Sequence, residues 1–287
     1  MTSPDDYEGL IRLIHDRYDG MSPTYRRIAT FLTQNPNDVA VLSVNAAALR
    51  CGVHASSFVR FAQALGYAGF RDLQALFQRR LATAAPGFEA RVKALQTDLR
   101  ARPDRSDLGF LSDLVVRDIA SLQTLLDDVE ECAFAAAADL LHAADTVWLI
   151  GQLRSAPVAE LLRYTLTMIG KRAVLLDPGG GLATHMAGGI GPGDVLLAVS
   201  FRFYATEVVN IAEDVARRDV PVIAITDSTL SPLARTARHL FAIPEHDYTF
   251  SRSLAAPMCL AQALVVALAS RVQDNRDAPR IPAVTAT

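Results

Sequence analysis

Two polar segments in the second half of the chain carry side chains suited to binding an anion. Each follows a short apolar run: G-Q-L-R-S at 151–155 and S-F-R-F-Y-A-T-E at 200–207. A guanidinium forms paired hydrogen bonds with a carboxylate or phosphate, and the free N–H groups at a helix start attract negative charge. The candidate ligand-binding residues are Gly151, Arg154, Ser155, Ser200, Arg202, Tyr204, Thr206 and Arg252.

Several of these residues also have a purely structural interpretation. Gly151 permits a tight turn and Ser155 can cap the following helix, while Thr206 is expected to cap its own helix through its hydroxyl. Arg202 can be a solvated loop charge beside aromatic residues that serve packing. The same two interpretations apply to the further polar candidates His185, Glu245 and Ser251.

A second stretch with chemical potential lies at Ser43–Gly66, where two helices are predicted around a tight turn at Gly52. Glycine adopts the positive φ that a sharp turn needs. In the second helix the apolar residues recur at helical spacing and predict one buried stripe: Val53, Phe58, Phe61 and Leu65. A polar surface on such a helix suits the DNA major groove. The candidate DNA contacts are Ser56, Ser57, Arg60 and Gln63.

No cluster of residues in the sequence indicates a metal, a cofactor or a disulfide framework. The cysteines, Cys51, Cys132 and Cys259, lie far apart without C-x-x-C spacing, and we interpret them as small apolar residues. The glycine-rich segment D-P-G-G-G at 177–181 lacks the Gly-Lys-Ser/Thr that a nucleotide P-loop requires. We therefore expect neither a cofactor nor a bound metal.

The apolar runs predict the elements that position the two anion-binding segments. They lie at 147–150, 173–176, 195–199, 222–226 and 239–243, separated by helical patterns. Short, fully apolar strands alternating with helices are typical of a five-stranded parallel sheet covered on both faces, which is a doubly wound α/β fold. Ligands bind beyond the carboxyl ends of such strands, which is where both segments begin.

The first part of the chain has a different pattern and predicts a separate domain. Residues 1–82 contain a series of helical patterns and no strand pattern, which indicates an all-α domain with a helix-turn-helix. Proline, glycine and alternating charge over 83–106 indicate a linker. The α/β domain then occupies 107–275, and 276–287 is expected to be a flexible tail.

Charge and composition favour different roles for the two halves. Residues 1–105 carry a net charge of +4 and residues 106–287 one of −7, so the first half is the one suited to phosphate contact. The acidic start M-T-S-P-D-D-Y-E is unlike a secretory signal. No apolar run approaches the ~20 uncharged residues of a membrane span. We expect a cytoplasmic protein without membrane contact.

Stretches in both halves resemble bacterial transcription regulators of the RpiR type (MurR/RpiR). Residues 21–80 resemble the family's helix-turn-helix domain through M-S-P-T-Y-R-R-I-A-T-F-L, L-S-V-N-A-A-A-L-R-C-G-V, S-S-F-V-R-F and L-G-Y-A-G-F-R-D-L. Residues 130–270 are similar to its sugar isomerase (SIS) domain through V-W-L-I-G-Q-L-R-S, M-I-G-K-R-A, G-D-V-L-L-A-V-S and V-P-V-I-A-I-T-D-S-T-L-S-P-L-A. The matches occur in the family's order and cover most of the chain.

This resemblance implies a regulator that binds a double-stranded DNA operator as a homodimer or homotetramer. It also implies that a flavodoxin-like SIS domain senses a sugar phosphate or a related metabolite. The family's DNA-reading helix corresponds to 54–66 in this chain. That helix starts at His54, where family members often have serine, so a capping hydroxyl is missing.

The loop after the third apolar run departs from the family. Phosphosugar-binding SIS domains usually carry S-x-S-G-x-T there. This chain keeps Ser200 but has Arg202, Phe203 and Ala205 in place of the second serine, the glycine and the threonine. The change removes hydroxyls from a phosphate cradle and adds a planar cation. We hypothesise that the effector is a small anion, either a sugar acid or a sugar phosphate held differently.

Two other functions are compatible with these features. SIS domains also occur in sugar phosphate isomerases, in which a general base removes a proton next to a carbonyl. The nominal general bases for such a reaction are His185, Glu207, Glu245 and His246. The altered loop and the DNA-binding module argue against catalysis, and we expect no enzyme. In the other alternative the SIS domain only oligomerises, through the apolar helices at 111–130 or 254–272.

Overall fold

The computed structural model describes residues 3–82, 96, 106–177, 181–202, 204–243 and 253–277. The chain divides into two compact units, one holding the N-terminal helices through Leu111 and the other holding nearly all of the chain from Ser112 onward. The linker predicted at 83–106 and the tail predicted at 276–287 lie almost entirely outside the described residues. The exact domain boundaries therefore stay predictions.

The described part of the first unit is helical. Its helices are α1 (Tyr7–Arg17), α2 (Pro23–Gln34), α3 (Pro36–Val41), α4 (Val44–Cys51), α5 (Ala55–Ala64) and α6 (Phe70–Ala82). Asp6, Ser22 and Ser43 each accept a hydrogen bond from the backbone N–H three residues later, at 2.7–3.3 Å. These caps satisfy N–H groups that a helix start leaves unpaired, and so they fix where α1, α2 and α4 begin.

Helix α3 is an element that the sequence pattern does not predict. Asn35-Pro36 indicates a stop, and α2 does end there, but Pro36 also opens α3 because proline is accommodated at the first helical position. The side chain of Gln74 on α6 holds α3 in place. Its Nε2 donates to the carbonyl oxygens of Val39 and Leu42, both at 2.8 Å.

One apolar cluster with contributions from α1–α6 fills the first unit. Phe58 of α5 lies at its centre and is almost fully buried. It packs edge to face against Phe31 of α2 and Phe70 of α6, with ring centroids 6.0 and 5.5 Å apart. Such pairs add to the stabilisation from burial, so they anchor α5 on its inner face and leave its outer face to solvent.

The second unit is built on a parallel sheet. Its strands are β1 (Val147–Gly151), β2 (Ala173–Leu175), β3 (Val195–Val199), β4 (Val222–Thr226) and β5 (His239–Ala242). Their order is β2-β1-β3-β4-β5 and every pairing is parallel, which is the flavodoxin-like order. All residues of β3 and β4 are buried, as expected for strands covered on both faces. The predicted fold class is confirmed.

Helices cover both faces of this sheet. They are α7 (Asp107–Asp128), α8 (Glu131–Ala143), α9 (Ala156–Met168), α10 (Ala183–Ala187), α11 (Thr206–Arg217) and α12 (Ala255–Asp277). Helices α8, α9 and α12 pack together, and their apolar residues join those of alternate strand positions in one large core. Helix α11 packs on β3 and β4, and its buried residues lie outside that core, on the opposite face.

Helix α12 corrects the expectation that no apolar segment reaches the length of a membrane span. Its residues Ala255–Gln273 have the length and mean hydropathy of a spanning helix. In this structure Leu260, Leu264 and Leu268 are buried in the core with α8 and α9. Of this segment 39% is buried and Val266 is exposed, so packing within the second unit accounts for only part of the apolar composition of α12.

Candidate functional site

The turn between α4 and α5 depends on Gly52, whose φ is +67°. Glycine reaches this left-handed region without the steric penalty of a side chain. Its N–H and that of the next residue donate to carbonyls of α4 at 3.2 and 3.0 Å, which closes the end of that helix. Arg27 of α2 also reaches the turn and donates to the carbonyl of Cys51 at 3.3 Å. A Cβ at position 52 would lie only 2.7 Å from Nη2 of Arg27.

Helix α5 exposes three of the four predicted DNA contacts. Ser56, Arg60 and Gln63 are exposed, and their spacing places them within an arc of roughly 60° on the helix surface. The expectation of an exposed Ser57 is wrong, since its exposed fraction is 8%. Ser57 lies about 40° from Phe61 around the helix and therefore falls inside the buried stripe. The exposed polar line of α5 therefore runs through Ser56, Arg60 and Gln63.

The start of α5 and its neighbouring charges agree with this surface. His54 occupies the N-cap position and makes no capping hydrogen bond within the described part of the chain. Arg50, at the end of α4, forms an ion pair with Asp38 of α3. Among the described residues Arg60 has no ion-pair partner, so its charge is available to a phosphate or a base edge.

At the other candidate site, the sheet register brings the two predicted ligand segments together. Gly151, the last residue of β1, is paired with Val199, the last residue of β3. The close approach of α9 explains why residue 151 is glycine. A Cβ there would lie 2.8 Å from the carbonyl oxygen of Ser155 and 3.0 Å from Cβ of Ala159. Gly151 thus allows the 3₁₀ turn at Leu153–Ser155 to pack against the strand end.

Two of the predicted helix caps in these segments are wrong. Ser155 occupies the N-cap position of α9 but its side chain makes no capping hydrogen bond among the described residues. Thr206 is already the first residue of α11, so Ala205 takes the N-cap position and the threonine hydroxyl cannot cap. Tyr204 is buried at φ +23°, and its N–H donates to the carbonyl of Phe201 at 2.9 Å in a tight turn.

Arg202 is not a solvated loop charge. Its side chain is 12% exposed, and its Nε lies 3.7 Å from Oδ2 of Asp227, whose side chain is 1% exposed. Asp227 directly follows β4, the strand next to β3. The two strand ends are tied together by Thr226, whose hydroxyl donates to the carbonyl of Ser200 at 2.7 Å.

The remaining polar groups at this edge include a positively charged and a negatively charged side chain. The guanidinium of Arg154 lies 4.6 Å from the ring centroid of Phe201, a cation–π contact. Glu207 on α11 accepts hydrogen bonds from the side-chain amide of Gln152 and from the hydroxyl of Thr184, at 2.5 and 3.1 Å. The edge therefore combines two guanidiniums with the carboxylates of Glu207 and Asp227.

Sequence reasoning missed three members of this arrangement: Gln152, Thr184 and Asp227. A positional signal was available for Asp227, because it follows the fourth apolar run just as the candidate loops follow the first and third. Its pairing with Arg202 was not visible, since that depends on which strands are neighbours. His185 follows Thr184 on α10 and is exposed, without a contact to this edge among the interactions described above.

Several candidates cannot be placed. Arg252 lies outside the described residues, as do Glu245, His246, Ser251 and Phe203. Among the described residues no group of three or more His, Cys, Asp or Glu side chains is arranged to hold a metal ion. Cys51 is a buried free thiol whose pKa is raised by burial, whereas Cys132 and Cys259 are exposed and so do not serve as core residues.

Comparison with known proteins assigns the two units to described domain families. Residues 8–84 match the helix-turn-helix domain of the rpiR family, and residues 140–267 match the SIS domain. The chain is 30% identical to the uncharacterized HTH-type transcriptional regulator YfhH of Escherichia coli (strain K12) over 262 residues, which is 91% of this chain and 89% of that protein.

Two solved structures share the fold. The sugar isomerase domain of an RpiR transcription factor from Sphaerobacter thermophilus is 29% identical, with a TM-score of 0.54, over 57% of this chain and 91% of that one. The Vibrio vulnificus NanR protein complexed with ManNAc-6P is 21% identical, also with a TM-score of 0.54, over 93% of this chain and 94% of that one.

Proposed function

The chain belongs to the rpiR family of helix-turn-helix transcriptional regulators that carry an SIS domain, and we propose that it controls a carbohydrate or related metabolic operon in response to a small anionic effector. The observation that carries the proposal is the co-occurrence of two sites. One is the exposed polar line on α5, and the other is the edge of the sheet that holds Arg154 and Arg202. A DNA-binding regulator of this kind acts in the cytoplasm.

Operator binding is proposed to use α5 in the major groove. Ser56, Arg60 and Gln63 lie on its exposed line, while its inner face is anchored by Phe58. Serine and glutamine can hydrogen-bond base edges, and Arg60 can bind either guanine or a phosphate. Because one such helix buries little surface, the operator is expected to contain two half-sites related by two-fold symmetry.

Effector binding is proposed at the carboxyl ends of β1, β3 and β4. Arg202 and Arg154 supply cations there, Ser155 and Ser200 lie beside them in the chain, and Gly151 leaves the strand end close to α9. NanR, a protein of the same fold, is complexed with ManNAc-6P in its solved structure. For this chain the replacement of the usual phosphate loop by S-F-R-F-Y-A supports a sugar acid or a differently held sugar phosphate.

The contacts of Glu207 do not decide between a regulator and an isomerase. One of its carboxylate oxygens accepts a hydrogen bond from Gln152 and the other from Thr184, which holds the side chain in place but leaves each oxygen a further lone pair for a proton. The family membership is what favours a regulator over an isomerase.

A homodimer or homotetramer is proposed on the basis of the exposed apolar side chains of α7. Helix α7 buries only Ser121 and Leu125, while most of its large apolar residues face solvent. These exposed residues are Leu108, Phe110, Leu111, Val115, Val116, Ile119 and Leu126. A patch of this extent on one helix is typical of an interface. Light scattering coupled to size exclusion measures the state directly, and a monomer at micromolar concentration would contradict the proposal.

The experiment that tests this function has two steps. Duplexes bound by the full-length protein are first selected from a random library, and their affinity is measured by fluorescence anisotropy. Sugar phosphates and sugar acids are then titrated into the complex, with the matching neutral sugars as controls. We expect an enriched two-fold symmetric site and a change of DNA affinity caused by one class of anion.

Variants locate the two sites in the same assay. Arg60→Ala should lower DNA affinity without changing effector affinity, and Arg202→Ala should do the reverse. The proposal fails if no sequence is enriched, if neutral sugars act as well as anions, or if Arg202→Ala responds like the unmodified protein. Turnover of a sugar phosphate by the purified chain would instead support the isomerase.

A further inference from the structure

We propose that Asp227 belongs to the effector site, where its carboxylate accepts a hydrogen bond from an effector hydroxyl while Arg202 binds the effector's anionic group. The inference rests on the proposed function and states which groups of a polyhydroxylated anion the two side chains bind. In such a molecule, whether a sugar phosphate or a sugar acid, a hydroxyl group stands close to the charged group.

The geometry of the Arg202–Asp227 pair is the first support. The two side chains face each other at 3.7 Å, which is longer than the roughly 2.7–2.9 Å of a charge-assisted hydrogen bond. Within the described part of the chain, neither Nε of Arg202 nor Oδ2 of Asp227 has a hydrogen-bond partner, although both atoms are buried. Buried polar atoms are nearly always hydrogen-bonded, so this pair retains both a donor and an acceptor for a third group.

The charges define what the third group must contain. An anion bound by Arg202 alone would bring a second negative charge against the buried carboxylate of Asp227. An ionised carboxylate can only accept hydrogen bonds, so the ligand must offer Asp227 a donor. A hydroxyl next to the anionic group satisfies both side chains at once. A neutral sugar satisfies only Asp227, and a simple anion without a hydroxyl satisfies only Arg202.

The strand ends hold the two residues ready for such a ligand. Thr226 hydrogen-bonds the carbonyl of Ser200, and the N–H of Ser200 donates to the carbonyl of Ile225 at 3.0 Å. The backbone that precedes Arg202 is therefore fixed to the backbone that precedes Asp227. A site built on rigid strand ends keeps the backbone of its binding residues in position before the ligand arrives.

The test uses the full-length protein and named probes. Calorimetry and thermal shift are carried out with sulfate, glucose 6-phosphate, gluconate and glucose, on the unmodified chain and on Asp227→Asn and Arg202→Ala. Asp214→Asn serves as the matched control, because Asp214 is a half-exposed carboxylate on α11 that pairs with Arg217 and Arg218.

We expect the unmodified protein to bind at least one hydroxylated anion more tightly than sulfate or glucose. Asp227→Asn should weaken that anion about tenfold or more, the loss expected when a hydrogen bond to a charged group is removed, and should leave sulfate as strong or stronger. Arg202→Ala should lose the hydroxylated anion and sulfate together. Asp214→Asn should bind every probe like the unmodified protein.

Two results overturn the inference. If Arg202→Ala loses the anion but Asp227→Asn keeps full affinity, Asp227 serves only the fold and the proposed function still stands. If the unmodified protein binds none of the anions and none changes its DNA affinity, the proposed function fails as well.

A second variant covers the case in which Asp227→Asn does not fold. The double variant Arg202→Met/Asp227→Asn removes both buried charges together, which avoids leaving one uncompensated. Its helicity and DNA affinity should match those of the unmodified chain while its response to the anion is lost. An intact response to the anion would contradict the inference.

Discussion

Replacing Gly52 with alanine should destabilise the first unit by roughly 2–3 kcal/mol. A residue with a side chain pays about 1–2 kcal/mol for the left-handed conformation that position 52 adopts. The new Cβ would also lie 2.7 Å from Nη2 of Arg27 and so displace a flexible side-chain end. The hydrogen bond from Arg27 to the carbonyl of Cys51 is then lost, which adds about 1 kcal/mol.

Differential scanning calorimetry of the full-length protein measures this effect. For a unit of this size the expected loss lowers the thermal midpoint of its transition by roughly 10–20 °C. DNA affinity at a temperature where the variant is folded should also fall, because the angle between α4 and α5 depends on this turn. The second unit should unfold at an unchanged temperature.

Two glycines provide matched controls for the separate parts of the effect. Gly69→Ala adds a Cβ with no heavy atom within 4 Å and no positive φ, so it should cost only about 1 kcal/mol or less, the difference between glycine and alanine at the N-cap position of α6. Gly170→Ala also meets no atom but sits at φ +77°, and it should cost only the conformational part in the second unit. A Gly52→Ala variant that melts like Gly69→Ala would refute the reasoning.

Three further changes have expected outcomes. Arg60→Ala should weaken DNA binding in an anisotropy titration and, where the side chain contacts a phosphate, should reduce the slope of log K against log salt by about 1. Arg217 is an exposed arginine of α11, and Arg217→Ala should change neither the affinity nor the slope. Gly151→Ala should destabilise the second unit by about 1–3 kcal/mol, because the added methyl group meets a backbone oxygen that cannot move aside. Calorimetry measures this loss, and an unchanged thermal midpoint would show that the end of β1 packs less tightly than described. Burial, aided by the nearby Arg238, lowers the pKa of His239 in the folded chain below the 6.5 of an unperturbed histidine. Between the folded-state pKa and 6.5 the unfolded chain binds more protons than the folded chain, so stability rises with pH. Urea unfolding near pH 5.5 and 7.5 should therefore show lower stability at the acid pH, and His239→Gln should reduce that difference; an unaltered difference would assign it to other groups.

The elements whose pattern depends only on local sequence were predictable. The five strands were found because each is a short, continuous apolar run, and the tight turn at Gly52 because a glycine interrupts two helical patterns. The first and third strand ends were recognised as the places for ligand residues, and β1 and β3 do lie side by side. These features follow from periodicity and topology without side-chain detail.

Two errors concern local features. Ser57 lies about 40° from Phe61 on α5, so helix spacing alone would have predicted its burial, and the cap at Thr206 depends on a helix boundary that patterns fix only to within a residue or two. The feature that could not be predicted depends on neighbours in space. Asp227 lies 25 positions from Arg202 in the chain, and only the order of the strands brings the two together.

Helix α12 determines when the second unit can finish folding during synthesis. The core of the first unit is complete once Phe77 of α6 has been made. The core of the second unit must wait for Leu260 and Leu264, so the faces of α8 and α9 that carry Leu141 and Leu162 remain uncovered until then. Uncovered apolar surface in an incomplete domain promotes aggregation, both during synthesis on the ribosome and after release of the chain. Any chain interrupted before Ala255 keeps that surface exposed and should depend on chaperones to remain in solution.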